Sequence, residues 1–228
     1  MSRKQDLIFI LIVLLIFLPF LLSKELLEFY RHVNREHGII TSFVKFSILA
    51  TMGELIGLRI KTGNYYKKGF GIAPRMIVWG FLGISIKMSF VIFASGTPVL
   101  IEYLGLQNAT EIFRGAFSFD KLLVSLGISA ALNIIYAPLM MTFHKITDIH
   151  IVNNGGTLSG FFKPIKFREI LVNLNWDIQW NFVFKKTIPF FWIPAHTVTF
   201  LLPADLQVLF AAILGIALGI ILAIADFA

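Results

Sequence analysis

The sequence has no cysteine and little charge: 14% of its 228 residues are Asp, Glu, Lys or Arg. Without a thiol there can be no disulfide framework, thiolate zinc site, iron–sulfur cluster or cysteine nucleophile. So little charge cannot solvate the surface of a soluble domain when 57% of the chain is hydrophobic and mean hydropathy is +0.81, which points to a polytopic membrane protein. Acid is scarcer than base, 13 against 20, and the resulting +7 belongs in loops facing anionic lipid, so nucleic acid is not an expected partner. Phosphate-cradling glycine patterns are missing too, since Gly69-Phe70-Gly71 is too short. No serine lies in a nucleophile elbow and no two carboxylates sit together, so an enzyme is not expected. His144, Asp148 and His150 lack the one-turn histidine spacing of helical zinc sites, and neither a metal nor a cofactor is expected.

What the chain does have is apolar runs. A helix needs about 20 apolar residues to cross roughly 30 Å of hydrocarbon. Six segments approach that: Leu7 to Leu22, Thr41 to Ile60, Ala73 to Ala94, Leu122 to Phe143, Thr187 to Leu202 and Leu206 to Ala225. The first follows Arg3 and Lys4 like a signal peptide, yet Ser23-Lys24-Glu25 offers no small-x-small cleavage site, so a retained anchor is expected. This divides the chain into an anchor helix with its linker, residues 1–40, and a helical bundle, residues 41–228. The fifth segment is short and broken by Pro189 and Pro194, and Pro203-Ala204-Asp205 leaves little room for a turn. Five spans with one re-entrant segment are therefore an alternative to six. With six spans, eleven loop Lys and Arg fall on one side and five on the other, which puts both termini in the cytoplasm. The hydrophilic stretch from His144 to Asp177 is expected to be a linker that includes an interfacial helix.

An ionisable side chain inside a span costs at least about 2.5 to 3.5 kcal/mol and normally faces protein or water. Four polar residues lie at membrane depth, one in each span from the second to the fifth: Glu54, Lys87, Asn133 and His196. Together they suggest a hydrated path through the bundle, although Glu54 and Lys87 differ by roughly 10 Å in depth at 1.5 Å per residue. Lys45, Arg59 and Arg75 lie near span ends and are expected to snorkel. Small residues mark close helix contacts: Gly53 and Gly57 beside Glu54, Gly80 and Gly83 on the face of Lys87, and the row Gln207, Ala211, Gly215, Gly219, Ala223 in the last span. The partner of that last row is either another helix of the chain or a second subunit of a homo-oligomer.

Trp192, Pro194, Thr199, Phe200, Pro203 and Gln207, with Ala195 and His196 among them, resemble the C-terminal signature of the Mpv-seventeen and peroxisomal twenty-two-kilodalton membrane protein family. His196 stands where that signature has glutamine, Thr199 where it has asparagine, and Gln207 near its arginine. Upstream, Gly53-Glu54 is similar to the family's glycine-aspartate pair, Gly83 and Phe90 to a glycine and an aromatic, and Asn133 with Tyr136-Ala137-Pro138 to a glutamine followed by aromatic, alanine and proline. The likeness spans about residues 41 to 225. It implies a small all-helical membrane protein without a cofactor, of a kind described as channels for small solutes. It also puts Glu54, Asn133 and His196 at positions the family keeps polar.

The expected function is thus a channel or pore-like protein for a small solute or ion in a bacterial-type plasma membrane, lined by Glu54, Lys87, Asn133 and His196. The alternative is a non-conducting membrane subunit or assembly factor whose buried polar groups only fix helix register.

Overall fold

The computed structural model describes the backbone of residues 3–225 and the side chains of 4–217. Those residues are mostly helical, with no strand among them. Helix α1 (Arg3–Leu22) is followed by the amphipathic α2 (Lys24–Glu36), which begins where Ser23 Oγ accepts from Leu26 N–H. The long pair α3 (Gly38–Thr62) and α4 (Ile72–Tyr103) comes next, then short α5 (Ala109–Arg114), α6 (Phe119–Ile135) and α7 (Ala137–Asn153). Two short pieces, α8 (Leu158–Phe161) and α9 (Phe167–Val172), lead to a π-helix (Ile178–Trp192) that continues into α10 (Ile193–Leu201), and α11 (Ala204–Ala225) ends the chain.

Among the described residues, three helices are long and apolar enough to cross a membrane: α1, α3 and α4. The bent pair α6 and α7 makes a fourth if it is counted as one span. The 43° bend falls at Tyr136. Pro138, at the start of α7, has no N–H to give and its ring crowds the carbonyl one turn back, so a straight helix cannot pass. The apolar run from Leu122 to Phe143 is therefore two helices, and the second reaches Asn153, well beyond Phe143. That also corrects the reading of His144 to Asp177: its first ten residues are helix, not linker.

Helices α3 and α4 run antiparallel, with Ser42 beside Gly83, Ser47 Oγ donating to the Met76 carbonyl at 2.8 Å, and Glu54 opposite Arg75. Gly80 and Gly83 allow this approach, since a Cβ at Gly83 would come within 2.7 Å of the Ser42 carbonyl oxygen. Along its length α4 is also lined by the bent pair: Ile101 lies over Gly127, Ser85 bonds the Tyr136 hydroxyl at 2.6 Å, and the Trp79 and His144 rings pack at a tilt, 4.4 Å apart. On its other side α3 packs against α11, where Gly53 and Ala50 meet Gly215 and Ile216. The partner of the α11 row is thus internal at Ala211 and Gly215; Gly219 and Ala223 lie outside the described side chains. The apolar core is continuous across α3, α4, α6, α10 and α11, with Phe46, Phe90, Ile128, Leu132 and Phe200 at its centre.

Helix α1 lies along the edge of this core, with Phe9, Val13, Ile16 and Phe17 packed against it and Leu7, Leu15 and Leu21 largely exposed, and Phe9 stacks on Tyr65 at 4.6 Å. Its fixed point is Asp6, which receives Arg59 Nε and Nη2, each at 2.8 Å.

Candidate functional site

Three polar clusters sit inside the bundle. The first is built on α3, α4 and α7, where two pairs of residues four apart on their helices, Arg75 with Trp79 and His144 with Asp148, turn toward Glu54. Arg75 Nη1 donates to Glu54 Oε2 at 2.6 Å, and Trp79 Nε1 donates to Oε1 at 3.0 Å. His144 Nε2 also lies 3.0 Å from Oε1, and because a carboxylate can only accept, that nitrogen carries the proton. The other arm of the Arg75 guanidinium pairs with Asp148, itself 3.9 Å from Lys145 Nζ. Arg75 Nε donates to the Phe70 carbonyl at 2.7 Å, and the guanidinium stacks over the Phe70 ring at 4.2 Å.

The Phe70 loop is held for this purpose. Gly69, Gly71 and Gly156 all have positive φ, and a Cβ on Gly156 would approach the Gly69 carbonyl oxygen to 2.6 Å and the Gly71 nitrogen to 2.7 Å. Two chain turns thus touch backbone to backbone, which only glycine permits. The packed turns close one end of the cluster. The Arg75 side chain is 7% exposed, whereas His144, Asp148 and Glu54 keep 25%, 22% and 16%. Its guanidinium is sealed, and its acids and imidazole stay partly accessible.

The second cluster joins α6 to α10 deep in the core. Asn133 is fully buried, its Nδ2 donating to the Ser129 carbonyl at 2.8 Å and lying 3.0 Å from His196 Nδ1, with Oδ1 3.2 Å from the same nitrogen. Phe90, Trp192 and His196 pack ring against ring at 5.0 to 5.5 Å. An Asn133→Leu substitution leaves His196 Nδ1 without a partner in this aromatic pocket and is expected to cost about 1 to 3 kcal/mol. His196→Gln, which retains an amide for Asn133, should cost less. Chemical unfolding of the two variants in detergent would give the order; an equal cost would mean that the hydrogen bond contributes nothing.

The third cluster lies at the α2 end of the bundle. Asn34 Nδ2 donates to the Asp205 backbone carbonyl at 2.6 Å, and its Oδ1 accepts from Lys45 Nζ at 2.5 Å and Thr41 Oγ1 at 2.9 Å. Arg31 Nε lies 3.7 Å from Asp205 Oδ2. Burial, with the Asp205 charge second, pushes the Tyr30 phenol up to about 12, so it keeps its proton. Lys87 belongs to this end, its Cε 3.4 Å from where a Cβ on Gly38 would stand.

The four residues expected to share a path therefore fall into three places. Asn133 and His196 meet, Glu54 is with Arg75, and Lys87 lies eight residues beyond Trp79 on α4, about 12 Å along the helix. The three cations expected to snorkel do not. Lys45, Arg59 and Arg75 are 8%, 8% and 6% exposed and each has a polar partner inside the protein, because their helices begin or continue beyond the apolar windows and carry them inward. His144 and His150 are also separated, the latter turning Nε2 to the Phe161 carbonyl at 3.0 Å. Of the signature residues, Trp192, Thr199, Phe200 and Gln207 are buried against α6, α7 and α4 or cap the α10–α11 turn, where Gln207 Nε2 donates to the Leu202 carbonyl at 3.0 Å. Pro194 opens α10, and Pro203 follows its end. Gly57 is buried on α3, one turn beyond Gly53.

No family model, curated protein or solved structure matches this chain.

Proposed function

We propose that the chain is a six-span membrane protein with both termini in the cytoplasm of a bacterial-type plasma membrane, conducting a small solute or ion. The cluster of Glu54, Arg75, Trp79, His144 and Asp148 forms the cytoplasmic mouth of its path. The observation that carries this reading is the uneven exposure of that cluster. Two carboxylates and an imidazole remain partly accessible around a sealed guanidinium, an arrangement that can admit and discriminate charge. The long apolar helices support the membrane setting of this reading. No reaction or cofactor is assigned.

Planar-bilayer recording on purified protein tests it. Discrete conductance steps are expected, and Glu54→Gln should shift ion selectivity or unit conductance while leaving the fold intact. A silent bilayer with verified reconstitution would sink the proposal. It would favour the second reading, a non-conducting subunit, for which the mutual satisfaction of Asn34 with Lys45 and of Asn133 with His196 speaks. That reading expects a stoichiometric partner to co-purify.

A further inference from the structure

The cluster at the α2 end has more positive charge than it neutralises. Arg31, Lys45 and Lys87 converge there from α2, α3 and α4, and the one acid facing them from α11 is Asp205, which Arg31 already approaches. Lys45, more than nine-tenths buried, has only the neutral amide oxygen of Asn34. Lys87, half-buried at the middle of α4, has no hydrogen bond or ion pair among the described residues, and it is close enough to Lys45 for the two charges to repel. Gly38 and Lys45 lie two turns apart on one face of α3, so the two ammonium groups flank that face.

Two further donors wait in the same place. The Tyr30 hydroxyl and Arg31 Nε are buried atoms without a hydrogen-bond partner, and the Lys45 ammonium lies 5.8 Å from the centre of the Tyr30 ring. Unmatched buried donors and an unpaired cation at membrane depth are each costly, and one group would relieve all of them: a multivalent oxygen acceptor with negative charge. We propose that Lys45, Lys87, Tyr30 and Arg31 form a binding site for a phosphate-type oxyanion, supplied as a lipid headgroup or as a free anion. The site is distinct from the Glu54 cluster at the opposite end of α3, and binding there does not depend on conduction.

The full chain in neutral detergent would be melted with sodium phosphate against sodium chloride at equal ionic strength. In parallel it would be melted in nanodiscs of phosphatidylglycerol against phosphatidylcholine. The anion is expected to raise the melting temperature. A response to phosphatidylglycerol alone assigns the headgroup, and a response to phosphate assigns a site open to free anions. Lys87→Met should weaken the response at least about tenfold, the worth of one charged hydrogen bond. Tyr30→Phe should weaken it while leaving the ligand-free melting temperature unchanged or slightly higher, because an orphaned hydroxyl is removed. Lys24→Met, on the exposed side of α2, should change nothing. No response to either probe, or a full response in both Lys87→Met and Tyr30→Phe, overturns the site.

Discussion

Arg75→Met is expected to destabilise the bundle by about 3 to 5 kcal/mol, more than any other single charge removal, because it strands Glu54 and Asp148 as like charges with no cation between them. The guanidinium also holds the α3–α4 loop through the Phe70 carbonyl, so its loss frees that end of the cluster. Adding Glu54→Gln to the same chain removes one of the stranded charges and should recover part of the loss. Unfolding in detergent of the two single variants and the double variant gives the coupling energy directly. Coupling near zero would mean that Glu54 and Arg75 do not act on one another. Lys145→Met, which touches the network only at 3.9 Å from a half-exposed position, should leave stability unchanged.

The second large effect is steric. A methyl at Gly53 would stand 2.8 Å from Ile216 Cα and 2.9 Å from the Gly215 carbonyl oxygen, and backbone atoms cannot turn aside. Gly53→Ala must therefore push α11 off α3, at a cost of about 1 to 3 kcal/mol. Across the same contact, Gly215→Ala meets nothing nearer than Ala50 Cβ at 3.8 Å and should be tolerated. Melting both variants distinguishes a one-sided contact from a symmetrical one; equal losses would contradict the packing described above.

These two predictions mark what the sequence could and could not reveal. Gly53 was legible as a close-contact position because small residues at four-residue spacing have few other uses in an apolar helix. Arg75 was not, because its nearness to a span end made it look like a residue reaching out to the membrane surface. Its direction is set by Asp148, seventy-three residues later on α7, in a stretch whose polarity made it read as a linker. One local signal was available: His144 and Asp148, four apart, share a helical face. Asn133 and His196 could be chosen by depth alone, yet their contact depends on the packing of α6 against α10, which no local pattern encodes. The bend at Tyr136 was written in Pro138, but an apolar run gives no warning that it will turn. The π-wound stretch Ile178–Trp192 has no sequence signature that we can name.

Helix α4 has 32 residues and so is about 48 Å long, whereas the 25 residues of α3 make about 38 Å. A bilayer is about 40 to 45 Å thick with its headgroups, so α3 fits it and α4 overruns it. The excess can be absorbed only by tilt or by helix standing clear of the lipid, and α6 with α7 meets the same surplus by folding at Tyr136. Membrane thickness thereby becomes a force on this protein. A thin bilayer is expected to tilt α4 further, and a thick one to draw the helix upright.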